Sequence, residues 1–258
     1  LENYKILNAV NSAIEAGYAI MGVYETDNFG VEQKEDHSPL TIADKRSHQI
    51  IKNALQNTGY PILSEEGRDI EYSERKQWDK FWLVDPLDGT KEFIKKNGEF
   101  TVNIAFVKKG RPVLGIIYVP VKKELYFASP EYGALKCLNI DGEFNSIEEL
   151  INKSIKLPIE KWDERTISVV GSRSHMSEPT EAFIDGLKSN YTDIKIISRG
   201  SSLKLCMVAE GGAQLYPRFA PTMEWDTAAG QAIVEISGGE VLKYPELDPL
   251  SYNKEELK

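Results

Sequence analysis

Two aspartates, Asp85 and Asp88, come directly after a short apolar run and just before a Gly-Thr pair. The apolar run at 81–84 predicts a buried strand, and the residues after the Gly-Thr pair suit a helix. Hard divalent cations prefer carboxylate and carbonyl oxygens. The free backbone N–H groups at a helix start suit a phosphate. This segment therefore predicts metal-assisted hydrolysis of a phosphate ester.

The turn itself has a geometry that suits a metal. Pro86 fixes the backbone angle φ and forces a turn. The Leu87 carbonyl can then face a cation on which Asp85 and Asp88 converge, and Asp85 could bridge two ions. The structural alternative is an Asp-Pro turn in which Asp88 is a helix N-cap. The full sequence Asp-Pro-Leu-Asp-Gly-Thr behind an apolar strand favours function.

The roles of four further acidic residues depend on the fold. Glu65 and Glu66 follow a predicted strand at 61–64, and adjacent side chains at a strand end point in different directions. At most one of the two is expected to face a given metal. Asp226 could be a helix N-cap or a metal ligand, and the local sequence leaves both open. Asp44 lies near a helix start, where an acidic residue usually complements the helix dipole.

The second half of the chain contains candidate anion contacts. Lys204 follows a Gly-Ser-Ser loop and lies at a helix start, where its charge opposes the dipole and hints at anion binding. Arg218 closes a predicted strand and suits a bidentate phosphate contact, although a surface role is the default for arginine. His175 lies in a polar loop, where a solvated histidine is more common than a functional one.

Composition narrows the function classes. The 258 residues suffice for one large domain or two of ordinary size, and 41% apolar with 28% charged residues is ordinary for a soluble globular protein. The net charge of −9 argues against binding a nucleic acid polymer. A bound cation would still allow a small anionic substrate.

Targeting features are also informative. No apolar run approaches the roughly 20 residues that span a bilayer, and the first residues lack the basic and apolar regions of a signal peptide. Cys137 and Cys206 have no metal-site spacing and are expected to be free thiols in a reducing cytoplasm.

Apolar periodicity predicts an N-terminal α+β unit at 1–160 and a C-terminal α/β unit at 161–258, with a loose, polar boundary near 139–165. The helices are predicted at 1–24, 41–56, 178–189, 202–210 and 227–237. The strands are predicted at 61–64, 81–84, 100–107, 113–119, 125–128, 166–170, 194–197 and 214–217.

The sequence contains three short signatures in a characteristic order: Ser64-Glu65-Glu66, the Asp85–Thr90 turn, and Trp225-Asp226 followed by Thr-Ala-Ala-Gly. Because of these signatures, the chain resembles the magnesium-dependent inositol monophosphatase superfamily. Within it, the chain is similar to 3′(2′),5′-bisphosphate nucleotidases of the CysQ type. That similarity is carried by residues 91–94, 98–105, 172–175, 200–204 and 215–219.

The resemblance implies a layered αβαβα sandwich with the active site between its two halves. It also implies that two or three Mg²⁺ ions are bound there and that Li⁺ and Ca²⁺ inhibit the enzyme. One ion would be held by Glu65, Asp85 and the Leu87 carbonyl. A second would be held by Asp85, Asp88 and Asp226. This favours the metal role for Asp226.

The resemblance also assigns the remaining site residues. Phosphate would be held by Asp88, Gly89 and Thr90. The attacking water would be oriented by Thr90 and Asp44, with Glu65 completing the catalytic set. The nucleoside and its retained phosphate would be contacted by His175, Ser201, Lys204 and Arg218.

The implied reaction is hydrolysis of the 3′-phosphate of adenosine 3′,5′-bisphosphate to AMP and phosphate, which clears a by-product of sulfur assimilation. The expected setting is cytoplasmic, as a monomer or homodimer, with peripheral association with the inner membrane as a further option. The alternatives are an inositol monophosphatase or sugar bisphosphatase of the same fold, and a non-catalytic protein that binds a nucleotide or metal.

Overall fold

The computed structural model describes residues 1–26, 28–34, 39–67, 70–160, 162, 166–172 and 177–258. The helices are α1 (Asn3–Tyr24), α2 (Ile42–Leu55), α3 (Tyr72–Arg75), α4 (Thr90–Ile94), α5 (Ile147–Asn152), α6 (Glu178–Leu187), α7 (Leu203–Glu210) and α8 (Glu224–Ile236). The strands are β1 (Glu32–Gln33), β2 (Pro39–Leu40), β3 (Ile62–Ser64), β4 (Lys80–Asp88), β5 (Thr101–Lys108), β6 (Arg111–Val119), β7 (Glu124–Ser129), β8 (Gly133–Cys137), β9 (Ser154–Lys156), β10 (Thr166–Ser172) and β11 (Asp193–Arg199).

Strands β3 to β9 form one sheet in sequence order. The first pair, β3–β4, is parallel, and each later pair is antiparallel. A Lys109-Gly110 turn joins β5 to β6, and both residues have positive φ, of 51° and 72°. Two successive residues of positive φ match the twist of the flanking strands, which makes such turns common in hairpins.

Helices cover both faces of this sheet. On β4 the side chains alternate, so that Trp82 and Val84 join the apolar core under α1 and α2. Phe81 and Leu83 join the core shared with α7 and α8. Burial on both faces explains why β4 is a continuous apolar run rather than an alternating one.

One glycine in the sheet leaves room for the backbone of helix α8. A Cβ at Gly115 in β6 would lie 2.2 Å from the Ala229 carbonyl oxygen of α8. A side chain there would push the helix away. The small residue therefore fixes the height of the helix whose first turn carries Asp226.

A smaller parallel sheet, β10–β11, contacts α7, and α6 connects its two strands along the chain. Parallel neighbours require a crossover of this kind. With α1 and α2, the large sheet and α7 and α8, this arrangement gives the layered α/β architecture predicted from sequence.

The structure differs from the sequence prediction in several places. Helix α3 and strand β8 were not predicted, and the polar stretch at 139–165 contains α5 and β9. The strand predicted at 214–217 is reduced to a single bridge between Leu215 and Val169. Helix α8 begins three residues earlier than predicted, at Glu224. The domain boundary near residue 160 stays a prediction, since residues on both sides of it share the second apolar core.

Candidate active site

The Asp-Pro-Leu-Asp turn is the irregular end of β4. The strand runs to Asp88, beyond the predicted end, and its pairing with β5 shifts register between Asp85 and Asp88. Such a bulge re-aims side chains, and here it brings two aspartates towards one side. The turn is held by Ser47, whose Oγ donates to the Pro86 carbonyl at 2.6 Å. Gly89 follows with φ of 93°, an angle that favours glycine.

Three carboxylates converge beside this turn. Asp85, Asp88 and Asp226 each place one ligand oxygen within 4.8 Å of the others. Burial raises the pKa of Asp85 well above its ordinary value, and the neighbouring carboxylates add to the rise. Burial, with the charge of Asp88, raises the pKa of Asp226 to about 6. Oxygen donors that repel one another in this way fit a hard divalent cation such as Mg²⁺, which would neutralise them.

Asp88 is held mainly by the second half of the chain. Its Oδ2 accepts bonds from Ser201 Oγ at 2.7 Å, from the Ser202 backbone N–H at 2.6 Å and from Ser202 Oγ at 2.7 Å. Asn103 on β5 adds a longer contact of 3.3 Å to the same oxygen. These donors fix the orientation of the carboxylate. Ser201, predicted to contact the nucleoside, therefore also positions a predicted metal ligand.

Asp226 bonds to the start of α8 and also belongs to the acidic cluster. It is the third residue of α8 rather than the N-cap, because the helix begins at Glu224. Its Oδ2 caps the helix start by accepting from the Met223 backbone N–H at 3.0 Å and from Thr222 Oγ1 at 2.8 Å. The same carboxylate contributes an oxygen to the acidic cluster. One side chain thus stabilises the helix start and faces the cluster.

Lys34 is a site residue that the sequence analysis missed. Its Nζ donates to Glu65 Oε1 at 2.7 Å and to Glu66 Oε1 at 2.5 Å, with the lysine side chain only 8% exposed. Glu65 also adds to the pKa rise of Asp85, which places its charge close to the cluster. In the sequence Lys34 precedes Glu35 and Asp36, a pattern typical of a solvated charged loop, so no local signal identifies it.

Asp44 and Thr90, predicted to act together, are neighbours. Thr90 Oγ1 lies 3.2 Å from Asp44 Oδ1 and 3.2 Å from the Leu87 carbonyl oxygen. The other oxygen of Asp44 accepts from the backbone and the hydroxyl of Thr41, which forms the capping box of α2. Burial raises the pKa of Asp44 despite these bonds.

A cavity of about 390 Å³ opens from the cluster. Asp88, Gly89 and Asp226 lie at its wall with Lys204 and Arg218. The wall also includes Lys91 and Lys95. Four cationic side chains therefore line this cavity, together with the further carboxylate Glu92, in a chain whose net charge is −9.

The predicted nucleotide contacts differ in how firmly they are held. Lys204 is buried, and its Nζ donates to the Ser201 carbonyl at 2.6 Å, while burial lowers its pKa. Arg218 is exposed and bonds to Tyr216 Oη at 3.3 Å and to the Pro221 carbonyl at 3.0 Å. His175 lies outside the described residues.

Comparison with known proteins identifies the family of this chain. The model of the inositol monophosphatase family matches residues 2–256. The chain belongs to this family. Membership accounts for the fold and for the order of the three acidic signatures, and it confirms the resemblance inferred from sequence.

Curated members of the family are similar over most of the chain. The 3′(2′),5′-bisphosphate nucleotidase CysQ of Salmonella typhimurium is 44% identical over 232 residues, which cover 89% of this chain and 86% of that protein. CysQ of Escherichia coli strain K12 is 43% identical over 247 residues, covering 95% and 92%.

Solved structures of the family agree. CysQ from Bacteroides thetaiotaomicron has a TM-score of 0.89 at 50% identity, covering 97% of this chain and 92% of that one. An inositol monophosphatase of Thermotoga maritima, at 23% identity and a TM-score of 0.69, covers 94% and 86% and shares the fold.

Family members depend on magnesium in general, which agrees with the acidic cluster. Within the part of the chain that the structure describes, no helix is both long and apolar enough to cross a membrane. The peripheral membrane association raised from sequence has no support from these residues. Cys137 and Cys206 are buried free thiols, as expected.

Proposed function

We propose that this chain is a magnesium-dependent 3′(2′),5′-bisphosphate nucleotidase that converts adenosine 3′,5′-bisphosphate to AMP and phosphate. The observation that carries the proposal is the cavity, whose lining includes carboxylates of the acidic cluster and four cationic side chains. A substrate with two phosphates can place one near the cluster and the other near the cations. Inositol 1-phosphate carries a single phosphate and has no second phosphate for the cations.

The carboxylates would hold the metal. Asp85, Asp88 and Asp226 form the cluster, and Glu65 with the Leu87 carbonyl would complete a second set around Asp85. Bound Mg²⁺ would supply a water of lowered pKa and neutralise charge on the phosphoryl oxygens. Two or three ions are proposed, with Li⁺ and Ca²⁺ as inhibitors.

The chain's own groups orient the reactants. Thr90 Oγ1, within 3.2 Å of Asp44 Oδ1, would align the attacking water and pass its proton towards that carboxylate. Thr41 holds the opposite oxygen of Asp44, so the carboxylate cannot rotate away from Thr90. The backbone of Gly89 and Thr90, with the fixed Asp88 carboxylate beside it, would hold the phosphoryl group during its transfer to water, while the 3′-oxygen of the nucleoside leaves and takes up a proton.

The nucleoside end would be built by Lys204, Arg218 and Ser201, with His175 as a further predicted contact. Beyond Arg218 lies a second cavity of about 180 Å³, which shares Tyr216 and Arg218 with the first and is also lined by Phe219. Its size and its aromatic wall suit a planar base beside the retained phosphate. We propose that this substrate is met in the cytoplasm by a monomer or homodimer.

The decisive experiment measures phosphate release from adenosine 3′,5′-bisphosphate and from inositol 1-phosphate, each with Mg²⁺ and with EDTA. The proposal expects turnover that requires Mg²⁺ and strongly prefers the nucleotide. A preference for inositol 1-phosphate would keep the chemistry and overturn the roles of Lys204 and Arg218. Turnover of neither would bring forward a sugar bisphosphate substrate or a non-catalytic binding protein.

A further inference from the structure

The last residues of the chain cross the start of α8 and bond to it. Glu224, the first residue of α8, accepts from the Asn253 backbone N–H at 2.7 Å and from the Lys254 backbone N–H at 2.9 Å. The Glu224 backbone N–H in turn donates to the Leu257 carbonyl at 2.8 Å. Glu224 is only 3% exposed, so these bonds are made away from water.

Arg75, at the end of α3, also forms hydrogen bonds with this segment. The guanidinium donates to the Lys254 carbonyl at 2.5 Å and to the Glu255 carbonyl at 2.7 Å. Asn253 closes a reciprocal pair, because its Nδ2 donates to the Arg75 carbonyl at 2.6 Å. Arg75 is only 4% exposed.

These contacts connect the two parts of the chain that carry the proposed metal ligands. Arg75 lies on the connection between Glu65 and the strand that ends in Asp85 and Asp88. Glu224 lies two residues before Asp226, on the same first turn of α8. The segment 252–257 therefore spans from one ligand-bearing part to the other.

We propose that Arg75, Glu224 and residues 252–257 form a brace that sets the position of Asp226 relative to Asp85 and Asp88. Arg75 and Glu224 are then positioning residues that tune cation affinity. The inference rests on the proposed cation site at Asp226 and is independent of which phosphate ester is hydrolysed.

The chemistry of the brace supports a positioning role over simple packing. Both charged side chains bond to backbone groups of one segment, so they fix the path of the chain and not merely its burial. A buried charge adds stability only when its geometry is good, and apolar packing often serves as well. Groups that hydrogen-bond directly to metal ligands typically change metal affinity 10- to 100-fold when mutated. Glu224 acts through the backbone of α8, so we expect an effect at the lower end of that range.

Titration with Mn²⁺, followed by the electron paramagnetic resonance signal of the free ion, tests the brace without substrate. Glu224→Gln replaces one acceptor oxygen with an NH₂ group that faces a backbone N–H. We expect its Mn²⁺ dissociation constant to rise about tenfold. Asn253→Gly is milder, because glycine keeps the backbone bond and tolerates the φ of 69°, and we expect a smaller rise.

Arg111→Gln is the matched control. Arg111 ties the same C-terminal region to the other end of α8, by bonds to Glu235 at 2.9 Å and to the Leu250 carbonyl at 3.2 Å. This variant should lower the melting temperature and bind Mn²⁺ as the wild type does. In Glu224→Gln the Mg²⁺ concentration for half-maximal activity should rise, while kcat at saturating Mg²⁺ and the substrate KM change little.

The possible results distinguish a failure of the brace from a failure of the cation site or of the proposed function. If Glu224→Gln and Asn253→Gly lose stability but bind Mn²⁺ like the wild type, the brace is only structural and the inference is wrong. If the wild type binds no Mn²⁺, the proposed cation site fails and the brace fails with it. If the wild type binds Mn²⁺ but does not hydrolyse the nucleotide, the proposed function fails and the metal-binding test of the brace stands.

Discussion

The two ends of the cavity are built in different ways. At the acidic cluster, the proposed metal end, each aspartate is held by hydrogen bonds from the backbone or side chains, and Asp88 receives four on one oxygen. We call this the rigid end. At the proposed nucleotide end, Lys204 is buried and bonded to the Ser201 carbonyl, whereas Arg218 is exposed and makes bonds of 3.3 and 3.0 Å on an irregular loop. All the proposed metal ligands of the cluster are thus fixed, while the proposed nucleotide contacts include one fixed and one exposed cation.

Removing one carboxylate from the rigid end should have the largest effect. Asp85→Asn deletes a charge from the proposed metal site, and we expect turnover to fall by about 10³ or more, since a metal contributes several kcal/mol to catalysis. The fold should survive, because the new amide oxygen can still accept the Leu87 N–H bond of 3.1 Å. Phosphate release and thermal unfolding measure the two effects.

The matched control for this change is Asp79→Asn, an exposed position just before β4. It should leave turnover and melting temperature unchanged. Retained activity in Asp85→Asn would mean that the acidic cluster is not the catalytic metal site, and the contrast between the two ends would lose its basis.

Changes at the nucleotide end should alter selectivity and spare the chemistry. Arg218→Met removes a charged donor, and charge-assisted bonds of roughly 1.5–3 kcal/mol correspond to a rise in KM for the bisphosphate of about 10- to 150-fold. Arg218→Lys should fall between, because lysine keeps the charge without the bidentate geometry. The ratio of kcat/KM for the nucleotide and for inositol 1-phosphate measures the effect.

Arg46→Met, an exposed arginine on α2, is the control for lost surface charge. If Arg218→Met lowers kcat/KM for both substrates equally, Arg218 supports the chemistry or the fold and does not select the nucleotide.

The candidate residues of the rigid end were easiest to predict from sequence where the signal is local. The Asp85–Asp88 turn follows a strand that can be recognised from its apolar residues, so fold and chemistry coincide in one stretch. Asp226 could not be assigned locally, because a helix cap and a metal ligand require the same residue type. The metal role predicted for it rests on the order of the family signatures.

Long-range pairs were beyond local pattern analysis. Lys34 meets Glu65, and Arg75 meets Asn253, across 31 and 178 residues. Nothing in the neighbouring residues encodes either contact. The start of α8 at Glu224 was missed for a similar reason, since that residue is held by backbone groups of the C-terminal segment.

Lys34 can be used to test how the negative charge of the rigid end affects the stability of the metal-free protein. Lys34→Met leaves Glu65 and Glu66 without their cation, at sites where the side chains are 19% and 10% exposed. We expect roughly 1–3 kcal/mol of lost stability in EDTA. The loss should shrink when Mg²⁺ is added, because the ion then supplies positive charge nearby. Thermal unfolding with and without Mg²⁺ measures both.

Lys45→Met is the control, since its pair with Glu32 is 51% and 61% exposed. An exposed pair contributes about 0–1 kcal/mol. Equal losses in the two variants would show that Lys34 is an ordinary surface charge and not part of the metal end.

The smallest expected effect is the pH dependence of the metal-free protein. The folded pKa of Asp226 is about 6. The unfolded value is near 3.9. The folded state therefore binds this proton more tightly, so stability rises as pH falls from 7.5 to 5 and is lost as pH rises again. This group alone should contribute about 1–1.5 kcal/mol across that window, or roughly 3 °C in melting temperature.

Comparison with Asp226→Asn tests this contribution, because the variant cannot titrate there and also loses the part of the Asp85 pKa rise that the Asp226 charge causes. In EDTA its melting temperature should change less between pH 7.5 and pH 5 than that of the wild type. Since Mg²⁺ binds the deprotonated carboxylates, the rise in wild-type melting temperature on adding Mg²⁺ should be larger at pH 7.5. Parallel pH profiles for the two proteins would show that Asp226 carries no excess repulsion, and that the metal end is not electrostatically strained without its ion.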